Sequence, residues 1–137
     1  MKKYWIICVS FLLLTVSCEK DDKDDLEGKW QLREVIDAEG VVQKVDTVWY
    51  NFQNTLFMYQ LYDATEETPV YRQCYGFKTK KDENKVLLEL TSYTVTVDEF
   101  LPYTDWSTGS RTFTIEKVSG KQLILSSEGK QYKFHSF

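Results

Sequence analysis

Few side chains in this 137-residue chain have the types and spacing that catalysis requires. His135 is its single histidine, and a pair with Cys74 could in principle activate a thiolate nucleophile. The two residues belong to segments far apart in sequence, and no glycine motif for an oxyanion hole accompanies them. Asp98, Glu99 and Asp105 are carboxylates of one irregular segment, which does not suggest the rigid opposed pair of a glycosidase. We interpret them as solvated loop charges, and we predict a protein that is not an enzyme and has no metal site and no cofactor.

Aromatic residues offer a different chemistry, that of binding. They make up 15% of the chain, and many of them are tyrosines, whose rings carry a polar tip. Such side chains line pockets for amphipathic or sugar-like molecules, although they also fill the cores and rims of β-proteins. The candidate ligand-binding residues are Tyr50, Tyr59, Tyr71, Tyr75, Phe100, Tyr103 and Trp106.

Three of these candidates lie in residues 94–109, a segment that we call the flap. It interrupts the alternation of apolar and polar residues seen in the segments on either side, and it holds too many large apolar residues for a solvent-exposed connecting loop. It therefore predicts a short helical turn across one end of the domain. One function that follows is binding of a small apolar or amphipathic ligand beneath the flap, in a cavity on the order of a few hundred Å³. The alternative is an exposed aromatic surface that docks an outer-membrane protein partner or a glycan.

Alternation of apolar and polar residues predicts an all-β domain with eight strands. The expected strands are Gly28–Ile36, Thr47–Gln53, Leu56–Asp63, Val70–Thr79, Lys85–Tyr93, Arg111–Val118, Lys121–Ser127 and Lys130–Phe137. Mostly short turns join them, so they favour an antiparallel up-and-down barrel in which the last strand pairs with the first. A two-sheet β-sandwich is the alternative, because alternation alone does not separate the two folds.

The first 25 residues are typical of an export and anchoring signal. Residues 1–17 combine early lysines with an apolar run too short to span a bilayer, which predicts a signal peptide. Cys18 ends the sequence Leu-Thr-Val-Ser-Cys and resembles the lipidated cysteine of bacterial lipoproteins. Residues 18–25 form an acidic tether, similar to the signal that sends Bacteroidetes lipoproteins to the outer face of the outer membrane. An ordinary signal peptide followed by a plain spacer is the alternative to this predicted membrane anchor and cell-surface location.

The predicted barrel domain, residues 26–137, opens with Gly28 two residues before Trp30. Gly28 allows a sharp turn at the barrel floor, and Trp30 lays a large ring across the closed end as a plug. Together with eight strands and a lipoprotein leader, Gly28-Lys-Trp30 resembles the start of small lipocalin-like (calycin-type) lipoproteins of Bacteroidetes, many of unknown function. The net charge of -4 and the lack of a basic stripe between aromatic residues make nucleic acid an unexpected partner.

Overall fold

The computed structural model describes residues 26–137. The predicted signal peptide (1–17), the lipidation site Cys18 and the acidic tether (18–25) lie outside the described residues. All eight predicted strands lie inside the described range.

Nine strands occupy most of the described residues, and eight of them lie where alternation predicts them. Their bounds are β1 Gly28–Ile36, β2 Val42–Lys44, β3 Val48–Gln53, β4 Leu56–Asp63, β5 Val70–Asp82, β6 Lys85–Thr91, β7 Ser110–Val118, β8 Gln122–Ser127 and β9 Lys130–Ser136. The additional strand is β2, whose residues are all exposed, so it has no apolar face that alternation could reveal.

The strands close into an antiparallel barrel. Neighbouring strands follow chain order from β3 to β9, and β1 pairs with both β3 and β9. The barrel of eight strands, β1 and β3–β9, therefore has no open edge, while β2 is a short spur paired with the end of β1. The predicted up-and-down barrel is confirmed, and the β-sandwich alternative is excluded.

Alternation along each strand sends one set of side chains into the barrel. These inward residues form one continuous buried core, whose largest members are Trp30, Tyr50, Phe52, Phe57, Tyr59, Phe113, Tyr132 and Phe134. On β5 the inward residues include the small Cys74 and Gly76. A Cβ added to Gly76 would lie 2.0 Å from the carbonyl oxygen of Glu89, so β5 and β6 approach too closely there for a side chain.

The chain enters the barrel at the end where β1 begins. Gly28 has a φ of +120°, a conformation that L side chains rarely adopt, and it lets the chain turn into β1. Trp30 is 3% exposed. Its indole Nε1 donates a hydrogen bond to the carbonyl oxygen of Leu26 at 2.8 Å. Both residues thus lie at the end where the sequence analysis expects the plug.

The flap lies at the opposite end of the barrel, because it joins the end of β6 to the start of β7. It contains the single-turn helix α1 (Val97–Phe100) and a 3₁₀ turn at Leu101–Tyr103, as the sequence predicts for this segment. No helix within residues 26–137 has the length and apolar character needed to cross a membrane.

Candidate functional site

Local hydrogen bonds set the conformation of the flap. The Thr96 hydroxyl accepts a hydrogen bond from the backbone N–H of Glu99 at 3.2 Å, and the Glu99 carboxylate accepts one from the N–H of Thr96. This reciprocal cap starts α1. Further along, the N–H of Trp106 donates to the hydroxyl of Thr104 at 3.0 Å. These bonds stay within the flap, and side chains make the contacts with the barrel that are described next.

Trp106 extends from the flap into the barrel interior. Its side chain is 4% exposed, and its Nε1 donates a hydrogen bond to the hydroxyl of Tyr50 at 3.0 Å. The indole stacks on Phe57 with ring centroids 6.0 Å apart and meets the ring of Tyr59 at 5.8 Å. The space between Tyr50, Phe57 and Tyr59 is thus filled by the indole of the flap. The sequence predicts a ligand cavity beneath the flap, and at this place the flap itself occupies the interior.

The margin between the flap and β5 forms a groove on the outside of the barrel. Phe100 is buried against Tyr59, with ring centroids 5.4 Å apart. Tyr103 is 46% exposed, and the guanidinium of Arg72 lies 4.1 Å from its ring centre. The groove has a volume of about 360 Å³, and Tyr71, Phe100 and Tyr103 contribute to its lining. The structure therefore brings three of the candidate residues to one surface groove.

A buried cation lies next to the flap at the mouth of the barrel. Arg111 of β7 points inward, and its side chain is 4% exposed. Its Nε donates to the Ser127 hydroxyl at 3.0 Å, and its Nη2 donates to the Tyr132 hydroxyl at 2.7 Å. The carboxylate of Glu128 lies 3.0 Å from the same Nη2. We call Arg111, Ser127, Glu128 and Tyr132 the arginine cluster.

Asp105 connects the flap to the arginine cluster. One of its carboxylate oxygens accepts a hydrogen bond from the Tyr132 hydroxyl at 2.5 Å, and the other lies 3.5 Å from Nη1 of Arg111. The second contact does not meet the geometry of a hydrogen bond, and Nη1 is buried without a hydrogen-bond partner. The interpretation of Asp105 as a solvated loop charge holds for its exposure, because its side chain is 36% exposed. It misses that the same carboxylate also contacts the buried Arg111 and Tyr132.

Burial shifts the pKa of tyrosines at this end of the barrel upward. The pKa of Tyr50 lies well above its ordinary value, first because of burial and then because of Tyr59 and Asp105 nearby. Burial also raises the pKa of Tyr132, and its hydrogen bond to Asp105 adds to the effect. Burial by itself lowers the pKa of Arg111. The nearby Tyr132 and Asp105 raise this pKa and help to outweigh the effect of burial, so that the pKa is raised. Near neutral pH the site thus holds neutral tyrosines around a positive arginine.

Tyr71 and Tyr75 lie on the outer surface of the barrel wall. They are 62% and 38% exposed, because alternation along β5 turns Cys74 and Gly76 inward instead. Tyr75 lines a separate groove of about 450 Å³ near the closed end. The structure therefore divides the candidate binding residues into an internal group (Tyr50, Tyr59 and Trp106), two exposed residues at the outer groove (Tyr71 and Tyr103) and the separate Tyr75. Phe100 lies between the first two groups, because it is buried against Tyr59 and also lines the groove.

The side chains considered for catalysis lie apart from one another. Cys74 is buried on the inner side of β5, where burial raises the pKa of its thiol, while His135 is exposed on β9. Asp98 and Glu99 are in the first turn of α1, and Glu99 belongs to its cap. Among residues 26–137, no group of three or more His, Cys, Asp or Glu side chains is placed to hold a metal ion.

The arginine cluster is not among the residues predicted from the sequence to form a site. One signal could have revealed it. Arg111, at every second position with Phe113 and Ile115, lies on the same face of β7 as these two buried residues. A charged residue in phase with such an apolar face is expected to point into the core, and a buried charge needs partners. The residues that supply those partners lie on other elements and carry no comparable local signal.

The chain has relatives of the same fold. A sequence profile described as the lipocalin-like domain matches residues 12–137. The chain is similar to a lipocalin-like protein from Bacteroides uniformis ATCC 8492, with 30% identity over 82% of this chain and 99% of that chain and a TM-score of 0.66. It is also similar to an uncharacterized protein from Bacteroides eggerthii DSM 20697, with 31% identity over 82% of this chain and 100% of that chain and a TM-score of 0.64. The search of curated proteins found no match. By its profile match over most of its length, the chain belongs to the lipocalin-like domain family.

Proposed function

We propose that this protein binds a small amphipathic ligand at the flap end of its barrel, without catalysis, as a lipoprotein anchored to the outer membrane through Cys18. The position of Trp106 carries the proposal. Its ring is not part of the barrel wall, yet it fills the interior among Tyr50, Phe57 and Tyr59. Apolar surroundings with a few convergent polar groups are typical of small-molecule sites.

Movement of the flap need not disturb the sheet. At its base, the N–H of Leu90 in β6 donates to the carbonyl oxygen of Gly109, the last residue of the flap, at 2.7 Å, so that end of the flap is tied to the sheet. Withdrawing Trp106 and Phe100 would expose on the order of 400 Å² of aromatic surface. An apolar ligand that enters the same space recovers that lost burial. Flap displacement and ligand entry are therefore expected to be coupled.

A second candidate function is docking of an outer-membrane protein or a glycan on the outside of the barrel. The groove between the flap and β5 favours this candidate, because Tyr71 and Tyr103 are exposed there and tyrosine suits a partly wet interface. Burial of Trp106 favours the internal site, because the largest ring of the flap is not available to an outside partner.

Native mass spectrometry of the protein purified from its host tests the binding function. We expect a species heavier than the acylated chain, with an extra mass that disappears when the protein is unfolded. A Tyr93→Ala variant is the matched control, because Tyr93 is 82% exposed and lies outside the barrel interior, and it should keep the heavier species. A single mass that unfolding leaves unchanged would contradict the proposal.

The anchor and the cell-surface location need a separate test. Cys18→Ala should abolish incorporation of labelled fatty acid and release the protein from the membrane, because acyl chains supply the anchor. Cys8→Ala lies within the predicted signal peptide and should leave both properties unchanged. Protease added to intact cells should digest the protein. Digestion only after the cells are broken would contradict the surface location.

A further inference from the structure

Arg111 is a positive charge inside the barrel mouth, and two sources compensate it. A buried charge is costly unless hydrogen bonds and opposite charges surround it. Ser127, Glu128 and Tyr132 belong to the barrel strands and their hairpin and stay in place when the flap moves. Asp105 belongs to the flap and leaves with it. Opening the flap would therefore remove one anionic partner from a buried guanidinium.

Asp105 and Trp106 together have the chemical form of an amphipathic anion. The carboxylate contacts Tyr132 and Arg111 at the barrel mouth. The adjacent indole lies deeper, bonded to Tyr50 and stacked among buried rings. A molecule that takes this space therefore meets a cation at one end and an apolar, aromatic environment at the other.

One hydrogen-bond donor of this site is unused. Nη1 of Arg111 is buried without a hydrogen-bond partner, although a carboxylate oxygen of Asp105 is 3.5 Å away. A free carboxylate can align with the two-pronged geometry that arginine favours. Glu128 lies 3.0 Å from the neighbouring Nη2, and its negative charge disfavours a dianion such as a phosphate monoester.

We propose that the ligand of this barrel is an amphipathic monocarboxylate. Its carboxylate takes the place of Asp105 on Arg111 and Tyr132, and its apolar body takes the place of the Trp106 indole. This inference rests on the proposed binding function and specifies its ligand class. The flap then acts as an internal competitor that closes the empty barrel. Exchange of one carboxylate for another leaves the charge around Arg111 unchanged.

Equilibrium dialysis of the protein in lipid nanodiscs tests the ligand class with three water-soluble indoles. Indole-3-propionate carries a carboxylate, indole-3-propionamide is neutral, and tryptamine is a cation. Trp106→Ala vacates the space of the ring, and this variant should bind the carboxylate roughly tenfold more tightly than the amide, with tryptamine weakest. Adding Arg111→Gln to Trp106→Ala should abolish the preference, because the cation that recognises the carboxylate is gone.

Asp105→Asn provides a milder test that keeps the indole of the flap in place. The substitution removes the competing carboxylate, so indole-3-propionate should bind this variant severalfold more tightly than it binds the natural sequence. Asp98→Asn is the matched control, because it neutralises another acidic residue of the flap, in α1 rather than at the arginine cluster. It should bind the probe as the natural sequence does.

Each outcome decides a different claim. Equal affinities for the carboxylate and the amide in Trp106→Ala would overturn the carboxylate inference and leave the binding function standing. Equal binding of the carboxylate by Asp105→Asn and Asp98→Asn would overturn it too. If Trp106→Ala keeps the far-ultraviolet circular dichroism of the natural sequence and a cooperative urea unfolding transition but binds none of the probes, the proposed function itself fails. If Trp106→Ala does not fold, the comparison of the two asparagine variants decides the inference.

Discussion

Replacing Trp106 with alanine should lower the free energy of unfolding by about 3–5 kcal/mol, as truncation of a buried aromatic residue does. The side chain is 4% exposed, so nearly its full surface leaves the core. Roughly 200 Å² at about 25 cal/mol per Å² gives about 5 kcal/mol. Loss of the hydrogen bond to Tyr50 adds about 1 kcal/mol. Because the flap can settle into part of the vacated space, we expect a value below that sum.

Urea unfolding followed by circular dichroism measures this loss. Tyr103→Ala is the control on the same flap, because its ring is 46% exposed, and it should cost about 1 kcal/mol or less. Free indole should restore stability to Trp106→Ala, by about 2.7 kcal/mol at a hundredfold excess over its Kd, and should not affect Tyr103→Ala. A loss under about 1 kcal/mol in Trp106→Ala would refute the burial of the indole. A full loss without rescue would refute the idea that its space accepts a ligand.

Three more predictions concern the barrel that holds the site. Gly76→Ala should cost about 1–3 kcal/mol in urea unfolding because its Cβ would meet the Glu89 carbonyl, whereas Gly120→Ala, which has no atom within 4 Å, should be neutral. Arg111→Met should cost about 1–3 kcal/mol in the same assay, because the buried Tyr132 hydroxyl loses its donor, whereas water can solvate the exposed carboxylates of Asp105 and Glu128. Burial raises the pKa of Tyr132 above the value of about 10 in an unfolded chain. Above about pH 10 the unfolded state therefore loses a proton that the folded state keeps, and stability falls as pH rises. Tyr132→Phe should reduce that fall in urea titrations at alkaline pH, and an unchanged pH dependence would contradict it.

The strands could be predicted from the sequence because a barrel wall separates two environments. On β4, every second residue from Phe57 to Asp63 is buried, and the predicted bounds Leu56–Asp63 are confirmed. The predicted β5 ends at Thr79 but the strand continues to Asp82. Its last residues are charged and exposed, so they have the composition of a turn although their backbone still pairs with β6.

Alternation does not tell which face of a strand points inward. On β5 the outward face carries Tyr71 and Tyr75, and the inward face carries Cys74 and Gly76. Judged by size alone, the tyrosines are the better core residues. At Gly76 the backbone of β6 leaves no room for a side chain, and this approach exists only once the sheet has formed. The period-two pattern is the same for both faces, so it did not place Tyr71 and Tyr75 outside the barrel.

No pattern of neighbouring residues in the sequence predicted the polar contacts of the site. The hydrogen bond between Trp106 and Tyr50 joins residues 56 positions apart, and the one between Tyr132 and Asp105 joins residues 27 positions apart. Sequence patterns with a period of two or 3.6 residues indicate which residues of a single strand or helix share a face. They do not indicate contacts between distant elements. The bulky residues of the flap predicted that it covers something, but its contacts with Tyr50 and Tyr132 required the closed barrel.

Fluorine NMR of protein labelled with 5-fluorotryptophan most directly tests whether the flap and a carboxylate ligand compete for one space. The Trp106 signal is assigned by its absence in Trp106→Phe. Saturating indole-3-propionate should move the Trp106 signal to the position of a solvent-exposed indole and leave the signal of buried Trp30 unchanged. If the probe is bound and the Trp106 signal stays in place, the ligand lies elsewhere and the competition is contradicted.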